Sequence, residues 1–384
     1  MTTESQYITG HPLGRTSSEG IESQEMLLNM GPQHPSTNGV LRLVLTLEGE
    51  TIVSCTPVIG YLHRGMEKIF ENRTYMQGIR YTDNSDYLSP MLCEIAYAGA
   101  VEQIMGLEPP RRAQYMRLLV GEMQRIGSHL LAIGTYLLDL GAVTPVLWTF
   151  RDREGMMSLF EALAGSRFTV NYIRVGGVLH DFPKGWLAEC SAWLDTLEKS
   201  MGELEELISM NEVFEARTQG VGYVDQQQAL AYGLSGPMLR GSGINFDIRA
   251  ARPYMAYREV PVNVQVRYEG DCFARYQVRV QEIYESIRLC RVAIDQMPSG
   301  SIATQIPIAL RPLRGETYFP IENSRGEYGF YMISDGSEYP WRAKMRSPSL
   351  SNLQILPFLL TGYRISDAIA IIGSIDIILG CVDR

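Results

Sequence analysis

The stretch Asn29-Met-Gly-Pro-Gln-His-Pro-Ser-Thr-Asn-Gly-Val-Leu-Arg-Leu43 constrains the fold of this sequence more than any other. Residues 31–39 contain two glycines and two prolines, so they predict a tight loop that leads into a strand. Such a loop can present His34 and Asn38 to a ligand as hydrogen-bonding groups. It can also be a strained turn whose histidine caps a strand, the interpretation that composition alone favours, since most loop residues bind no ligand.

The spacing of apolar residues changes along the rest of the chain. Residues 40–48 and 51–57 alternate in part and predict a β-hairpin. Farther along, apolar residues at helical spacing predict long helices, which cover residues 90–106, 110–140, 144–165, 186–210 and 270–297. After Met297 the pattern predicts strands and then short helices, at residues 317–322, 327–336, 339–345 and 351–379.

These elements predict an α+β fold, in which a central helical bundle is flanked by two small sheets, one from each end of the chain. Residues 1–25 are polar and are expected to form a mobile N-terminal arm. Residues 26–384 are expected to form a single domain. Within it, 26–60 are predicted to be β, 61–297 to be the helical bundle, and 298–384 to be mixed β/α.

Charge and hydropathy argue against several classes of function and location for this protein. The net charge of −9 and the pI near 5.3 argue against nucleic acid as a partner, because phosphate neutralisation needs clustered Lys and Arg. The first 25 residues have no apolar core typical of a signal peptide. The apolar run at 365–379 is interrupted by Ser366, Asp367, Ser374 and Asp376, so no membrane span is expected. The chain could still dock on a membrane protein.

The six cysteines are far apart in sequence and form no C-x-x-C pair: Cys55, Cys93, Cys190, Cys272, Cys290 and Cys381. Without a secretory signal, this pattern favours a reducing compartment over a disulfide framework. An iron–sulfur cluster needs about four closely spaced thiolates, which this chain does not supply alone. Most of these cysteines are therefore expected to be small core residues.

Three further segments carry polar residues in unusual settings. Gly60-Tyr-Leu-His-Arg-Gly-Met-Glu-Lys68 suggests either a packed polar network or a solvated helix start. Residues 81–90, which include Tyr87, form a polar segment before a helix. In Tyr136-Leu-Leu-Asp-Leu-Gly141, Asp139 lies on an apolar helix. Burying a carboxylate is costly unless it is paired, so Asp139 either faces solvent at a helix end or pairs with a functional group.

Together these segments resemble one family, the quinone-site D subunit of proton-pumping NADH:quinone oxidoreductase (respiratory complex I), whose plastid counterpart is the H subunit. That family is related to the [NiFe]-hydrogenase large subunit. The resemblance covers essentially the whole chain from Met26 and continues through later motifs, which are Phe150-Arg-Asp-Arg-Glu154, Tyr172-Ile-Arg-Val-Gly-Gly177, Leu234-Ser-Gly-Pro-Met-Leu-Arg-Gly-Ser-Gly243, Glu269-Gly-Asp-Cys-Phe-Ala-Arg275, Arg325-Gly-Glu-Tyr-Gly329 and Val382-Asp-Arg384. It implies a hydrogenase-large-subunit-like fold.

The resemblance also implies a set of site residues. Tyr87 matches the family's tyrosine, whose hydroxyl donates to one quinone carbonyl. The other carbonyl is usually addressed by a histidine that pairs with the carboxylate matching Asp139, and this sequence has Asn38 at the histidine position. Asn38 can donate a hydrogen bond but cannot supply a proton near neutral pH. His34 is the nearest remaining imidazole and is the alternative proton-bearing group.

Other positions depart from the family or from its hydrogenase ancestor. Asn84 replaces a common arginine, which should alter the charge around Asp86 and Tyr87. The ancestor's two C-x-x-C pairs would fall near Asp86 and Ser89, and at Ile378 and Cys381, so only Cys381 remains. A working hydrogenase is therefore excluded by its ligand count.

The resemblance implies that the chain binds no cofactor or metal, takes quinone as substrate and lies near an iron–sulfur cluster held by a neighbouring subunit. The implied partners are the iron–sulfur subunit, a peripheral-arm C-type subunit and a membrane H-type subunit, with no nucleic acid. The implied location is peripheral, on the cytoplasmic or stromal side of an energy-transducing membrane. Two alternatives stay open: a scaffold subunit with altered quinone chemistry, and a complex fed by a ferredoxin-type donor.

Overall fold

The computed structural model describes residues 25–31, 33–34, 38–209 and 211–384. The arm expected at residues 1–25 therefore lies outside the described residues, except for Glu25, which begins the first strand. The division of the chain into segments remains a prediction.

The N-terminal part folds as the alternation predicts. Its strands are β1 (Glu25–Met30), β2 (Gln33–His34), β3 (Gly39–Val40), β4 (Arg42–Glu48) and β5 (Thr51–Val58). The strands β1, β4 and β5 form an antiparallel sheet in that order, and β2 pairs with β3. Every second residue of β4 is buried, because alternate side chains of a strand point to the same face. The predicted hairpin is confirmed.

The middle of the chain is helical. The helices α1 to α6 are Met66–Glu71, Tyr75–Thr82, Pro90–Met105, Arg111–Asp139, Val143–Ala164 and Trp186–Ser209. After α5 a two-stranded ribbon forms from β6 (Ile173–Arg174) and β7 (Gly177–Val178). The helices α7 to α11 are Glu212–Thr218, Gln226–Ala231, Pro237–Arg240, Ile248–Ala251 and Cys272–Asp295, with a 3₁₀ turn at Met255–Arg258.

Helix α4 is the centre of the bundle. It has 29 residues, which gives a length of about 43 Å. It packs against both α5 and α11. Nearly all its residues between Ala113 and Leu137 are buried, including charged ones such as Arg117 and Glu122. A helix that is buried on all faces has no polar face turned toward water. Its charged residues must therefore pair with other groups inside the protein.

The C-terminal part begins with a second sheet and ends in short helices. The strands β8 (Gly315–Asn323), β9 (Gly326–Ser334) and β10 (Arg342–Arg346) are antiparallel, with β9 in the centre. The sheet packs on α3 through β8 and β9. The helices α12 to α15 follow, at Pro348–Leu353, Leu356–Leu360, Ile365–Ile375 and Leu379–Asp383. The α+β class, with a bundle between two small sheets, is confirmed.

Two further expectations can be compared with the structure. All six cysteines are buried and free, as expected for small core residues. Among the described residues, no helix is both long and apolar enough to cross a membrane.

Replacing Phe330 by Ala should destabilise the fold by about 3–5 kcal/mol, because it opens a cavity in the core. The Phe330 ring is fully buried and lies edge-on to Phe70 and Tyr97, with ring centroids 5.5 Å and 5.2 Å apart. Denaturant unfolding measures the loss. The same change at Phe358, which is 40% exposed, is the control and should cost about 1 kcal/mol or less. Equal losses at the two positions would contradict this account of the core.

Candidate functional site

Tyr87 lies in the turn at residues 83–89, between α2 and α3. Its ring is partly buried beside Phe168, with ring centroids 6.1 Å apart. Its hydroxyl donates a hydrogen bond to the main-chain carbonyl of Asn38. Burial, reinforced by the charge of Asp86, raises the pKa of Tyr87 to about 12. The phenol is therefore protonated at neutral pH and acts as a hydrogen-bond donor.

A buried arginine, Arg325, holds this turn in place through an ion pair with Asp86. The Asp86 carboxylate accepts hydrogen bonds from the backbone N–H groups of Leu88 and Ser89, both at 3.2 Å. The Arg325 guanidinium lies 3.2 Å from Asp86 and 3.1 Å from Asp376. All three charged side chains are buried. Because a guanidinium carries several donors in one plane, Arg325 can hold two carboxylates at once.

The C-terminal segment lies against the same turn. Asp376 adopts a left-handed backbone conformation, with φ 57°, at the end of α14. Burial raises the pKa of Asp376 above its ordinary value, although Arg325 and Arg279 oppose that shift. The next residue, Ile377, accepts a 3.4 Å hydrogen bond from the Asn38 side-chain amide. Asn38 therefore contacts Tyr87 through its carbonyl and the C-terminal segment through its side chain.

Two glycines allow these segments to approach so closely. A Cβ atom at Gly39 would lie 2.7 Å from the Leu379 Cβ, and one at Gly380 would lie 2.9 Å from the Ser85 carbonyl oxygen. Real Cβ atoms essentially never come this close to other heavy atoms. The Gly39 backbone also has φ 141°, a conformation that favours glycine. The loop, the turn and the C-terminal segment thus meet where side chains are absent.

The segment 60–68 forms a packed polar network with the end of the chain. The Asp383 carboxylate accepts hydrogen bonds from the backbone N–H groups of Gly60 and Leu62, at 2.8 Å and 2.7 Å. Glu67 lies 2.5 Å from Arg342 and 3.4 Å from Arg384. These bonds favour the packed network over the solvated helix start, which the sequence alone left as an equal alternative.

The structure brings some of the predicted site residues together and leaves others apart. Tyr87 and Asn38 are in direct contact. Asp139 is the last residue of α4 and is partly buried, so it does lie at a helix end. Its pairing with the residue at position 38 remains a prediction. The His34 backbone pairs with Gly39, but its side chain lies outside what the structure describes.

Two of the positions that the sequence matched to metal ligands of the hydrogenase, Ser89 and Cys381, lie near Arg325. Ser89 shares a 2.8 Å hydroxyl–hydroxyl hydrogen bond with Ser324, beside Arg325. The Cys381 thiol lies 2.9 Å from the Ser347 hydroxyl, and burial raises its pKa to about 11, with Asp86 adding to the shift. Among the described residues, no group of three or more His, Cys, Asp or Glu is arranged to hold a metal ion.

Comparisons with known proteins place the chain in a family. The family model described as "Respiratory-chain NADH dehydrogenase, 49 Kd subunit" matches residues 139–313 and 308–384. The chain is 49% identical over 363 residues to the D subunit of NADH-quinone oxidoreductase from Desulforamulus reducens, covering 94% of this chain and 99% of that protein. Proteins of the same name from Clostridium beijerinckii and Geobacillus thermodenitrificans are 46% and 48% identical, with 95% and 94% of this chain and 98% and 100% of theirs covered.

The mixed architecture agrees with the class of proteins that share the hydrogenase-large-subunit fold, as the sequence predicted. The chain belongs to the family of the 49-kDa subunit of respiratory-chain NADH dehydrogenase. The resemblance found in its motifs is therefore confirmed.

Sequence reasoning missed the roles of Arg325 and Asp383. Both residues lie in motifs that carry the resemblance, Arg325-Gly-Glu-Tyr-Gly329 and Val382-Asp-Arg384, so the signal was present. Arg325 has one partner, Asp86, that is 239 residues away in sequence, and Asp383 contacts Gly60 across 323 residues. No local pattern connects positions so far apart.

Replacing Arg325 by Met should destabilise the chain by about 3–5 kcal/mol, because it leaves the Asp86 and Asp376 carboxylates buried without their shared cation. Denaturant unfolding measures the change. Arg314 is exposed and donates to the Asp335 carbonyl, so R314M is the matched control, with an effect within about 0.5 kcal/mol. A comparable loss in both variants would show that Arg325 does not hold the site together.

Proposed function

We propose that this chain forms part of the quinone-reduction site of a proton-translocating NADH:quinone oxidoreductase, in which quinone reduction is coupled to ion pumping. The names of its relatives support the reaction class. The observation that carries the assignment is Tyr87: its phenol is held protonated where the Asn38 loop, the 83–89 turn and the C-terminal segment converge.

Quinone reduction sets the chemical demand on such a site. The reaction adds two electrons and two protons, and negative charge develops on both carbonyl oxygens as the electrons arrive. Hydrogen-bond donors aimed at those oxygens stabilise that charge best in a site sheltered from water. The Tyr87 hydroxyl supplies one such donor, and the aromatic ring beside Phe168 suits the flat face of a quinone.

Asn38 is proposed to address the second carbonyl oxygen. Its amide hydrogen bond to Ile377 is long, at 3.4 Å, so it can be exchanged for a shorter bond to a substrate. Because an amide gives up no proton near neutral pH, His34 is the proposed proton-bearing group of the loop. Asp139 is proposed to respond to the change in charge on reduction.

The proposal extends to the surroundings of the site. The chain itself binds no cofactor, and electrons come from an iron–sulfur cluster held by a neighbouring subunit. Val143, Leu147 and Phe150 at the start of α5 are 46–65% exposed, and Phe168 beside Tyr87 is 44% exposed. Exposed apolar side chains of this kind support contacts with protein partners. The proposed partners are the iron–sulfur, C-type and membrane H-type subunits, on the cytoplasmic or stromal side of the membrane.

A second candidate function rests on Asn38. If the missing histidine has weakened the quinone chemistry, the chain serves chiefly as a scaffold of a complex I-like assembly, including one that takes its electrons from a ferredoxin-type donor. The backbone of Asn38 has φ 44°, in the left-handed region that asparagine and histidine both tolerate. A histidine can therefore be restored there without added backbone strain.

Replacing Tyr87 by Phe in the assembled complex should lower quinone turnover about 100-fold, because one donor to the developing charge is lost. Steady-state donor:quinone oxidoreductase assays measure kcat and KM. Tyr81→Phe, six residues earlier, removes a partly exposed hydroxyl that contacts Arg73 and is the matched control, with activity retained. Unchanged turnover and quinone affinity in Y87F would remove Tyr87 from the site.

Restoring histidine with Asn38→His separates the two candidate functions. A complex that already reduces quinone efficiently should change its turnover only a few-fold, because Tyr87 and the other donors are already in place. A gain well beyond tenfold with the same quinone would favour the scaffold function. The assay is the same, and its pH profile should also reveal the new imidazole.

A further inference from the structure

A second group of charged side chains lies inside the helical bundle, and the quinone chemistry above does not use it. Its members come from five elements, are at most 2% exposed and are named here the Arg240 cluster. They are Glu122, Arg125 and His129 of α4, Arg240 of α9, Asp247 and Arg249 at the start of α10, Glu282 of α11 and Glu322 of β8.

Arg240 contacts three of the four carboxylates of this cluster. Its guanidinium lies 2.6 Å from Glu282, 2.8 Å from Glu322 and 3.5 Å from Asp247. The Glu282 carboxylate also lies 2.9 Å from the Nε2 atom of His129.

The remaining ion pairs of the cluster join Arg249 and Arg125 to Asp247 and Glu122. Arg249 lies 2.6 Å from Asp247 and 3.0 Å from Glu122, and Arg125 lies 3.2 Å from Glu122. Glu122 also accepts hydrogen bonds from the hydroxyls of Ser286 and Tyr257. Every carboxylate of the cluster therefore contacts at least one arginine.

The charges of the cluster do not balance. Four carboxylates face three guanidinium groups, so the cluster carries one net negative charge when all its acids are ionised and His129 is neutral. Burial lowers the pKa of His129 to about 4, so the imidazole is neutral at physiological pH. A net charge buried away from water is costly, and one bound proton removes it.

The nearest further cations make their bonds elsewhere. Arg279 donates to the carbonyls of Arg275 and Ile375 and lies 3.9 Å from Asp376. Arg275 donates to Ser374 and to backbone carbonyls. Arg288 pairs with Glu285 at 2.6 Å. Among the described residues, none of these three arginines forms an ion pair with a carboxylate of the cluster, and the charge of Glu282 acts on Arg279 from a longer distance.

The negative charge of Glu322 is the least compensated by hydrogen-bonding cations in the cluster. One oxygen accepts from Arg240, and the other accepts a 3.1 Å hydrogen bond from the backbone N–H of Ile248. Burial and the Asp247 charge raise the pKa of Glu322 to about 7. The positive charges of Arg240, Arg249 and Arg125 oppose this shift.

The other three acids of the cluster stay ionised. The guanidinium groups around them outweigh burial and lower the pKa of Glu122 to about 2, and they also lower the pKa values of Glu282 and Asp247. Glu322 is therefore the group on which a proton is held near neutral pH.

We propose that the Arg240 cluster is a one-proton binding site, that Glu322 holds the proton, and that the site takes up a proton when negative charge develops beside Tyr87. The proton site stands on the buried charges alone. Its coupling to Tyr87 rests on the proposed quinone function.

The coupling has a short route through the hairpin of β8 and β9. Glu322 of β8 lies three residues before Arg325 of the turn, and Arg325 forms an ion pair with Asp86, which precedes Tyr87. Arg125 of the cluster also donates a 2.6 Å hydrogen bond to the Glu322 carbonyl. Negative charge at the Tyr87 turn favours protonation of a nearby carboxylate, so reduction of the substrate should drive proton uptake.

Infrared difference spectroscopy of the assembled complex tests the proton site. Between pH 5 and 9 the wild type should show a carboxylic-acid band that disappears with a midpoint near neutral pH, and Glu322→Gln should lack it. Since glutamine mimics the protonated side chain, E322Q should assemble normally. Glu94→Gln is the control, because Glu94 is a buried acid of another region, whose pKa burial raises to about 8.

In Glu94→Gln, the carboxylic-acid band should lose only a component that titrates at higher pH. The component assigned to Glu322 should remain. A band with an unchanged midpoint in E322Q would overturn the proton site. Should E322Q fail to assemble, Glu322→Asp keeps a carboxyl group and must shift the midpoint, and an unchanged midpoint there would overturn it as well.

The coupling is tested by reducing the bound quinone at constant pH. The Glu322 band should grow in the wild type and not in E322Q, and no response in the wild type would overturn the coupling. If the band titrates as expected but Y87F keeps full turnover, the proton site stands and the quinone assignment fails. If Y87F loses turnover while E322Q keeps the wild-type spectrum, the proton site fails and the quinone assignment stands.

Discussion

The contact of Arg325 with both Asp86 and Asp376 is the interaction on which the candidate site depends. It joins a turn in the first quarter of the chain to a segment near its end, and the hairpin between β8 and β9 carries the guanidinium between them. A buried cation with two buried carboxylates has few stable arrangements, because each unpaired charge would be costly. The position of Tyr87, one residue after Asp86, follows from that restriction.

The interior of the bundle uses the same principle on a larger scale. Its long central helix carries buried charged residues as well as apolar ones, and their partners lie on α3, α10, α11 and β8. Arg325 and Arg279 face the carboxylates of Asp86 and Asp376, and the buried Arg275 beside Arg279 adds a third positive charge to that group. The Arg240 cluster instead has four carboxylates and three guanidinium groups.

Much of the fold could be predicted from sequence because long elements impose a clear period. The five long helices, the β4–β5 hairpin and the three strands of the C-terminal sheet lie within a few residues of the predicted bounds. Helices α7 to α10 have only four to seven residues, too few for a helical period to be visible. The pairing of Arg325 with Asp86 spans 239 residues and leaves no trace in local composition. Tyr87 and Asn38 were predictable as neighbours only through the family resemblance.

The hydrogen bond between the Tyr87 hydroxyl and the Asn38 carbonyl has a consequence for turnover. The phenol already has an acceptor within the protein, so under the proposed function a quinone must compete with the Asn38 carbonyl for it. An oxidised quinone competes well, since its carbonyl oxygens are good acceptors. After reduction those oxygens are hydroxyl groups, which accept more weakly, and the Asn38 carbonyl regains the phenol. Under the proposed function, the loop would therefore discriminate between substrate and product and favour release of the product.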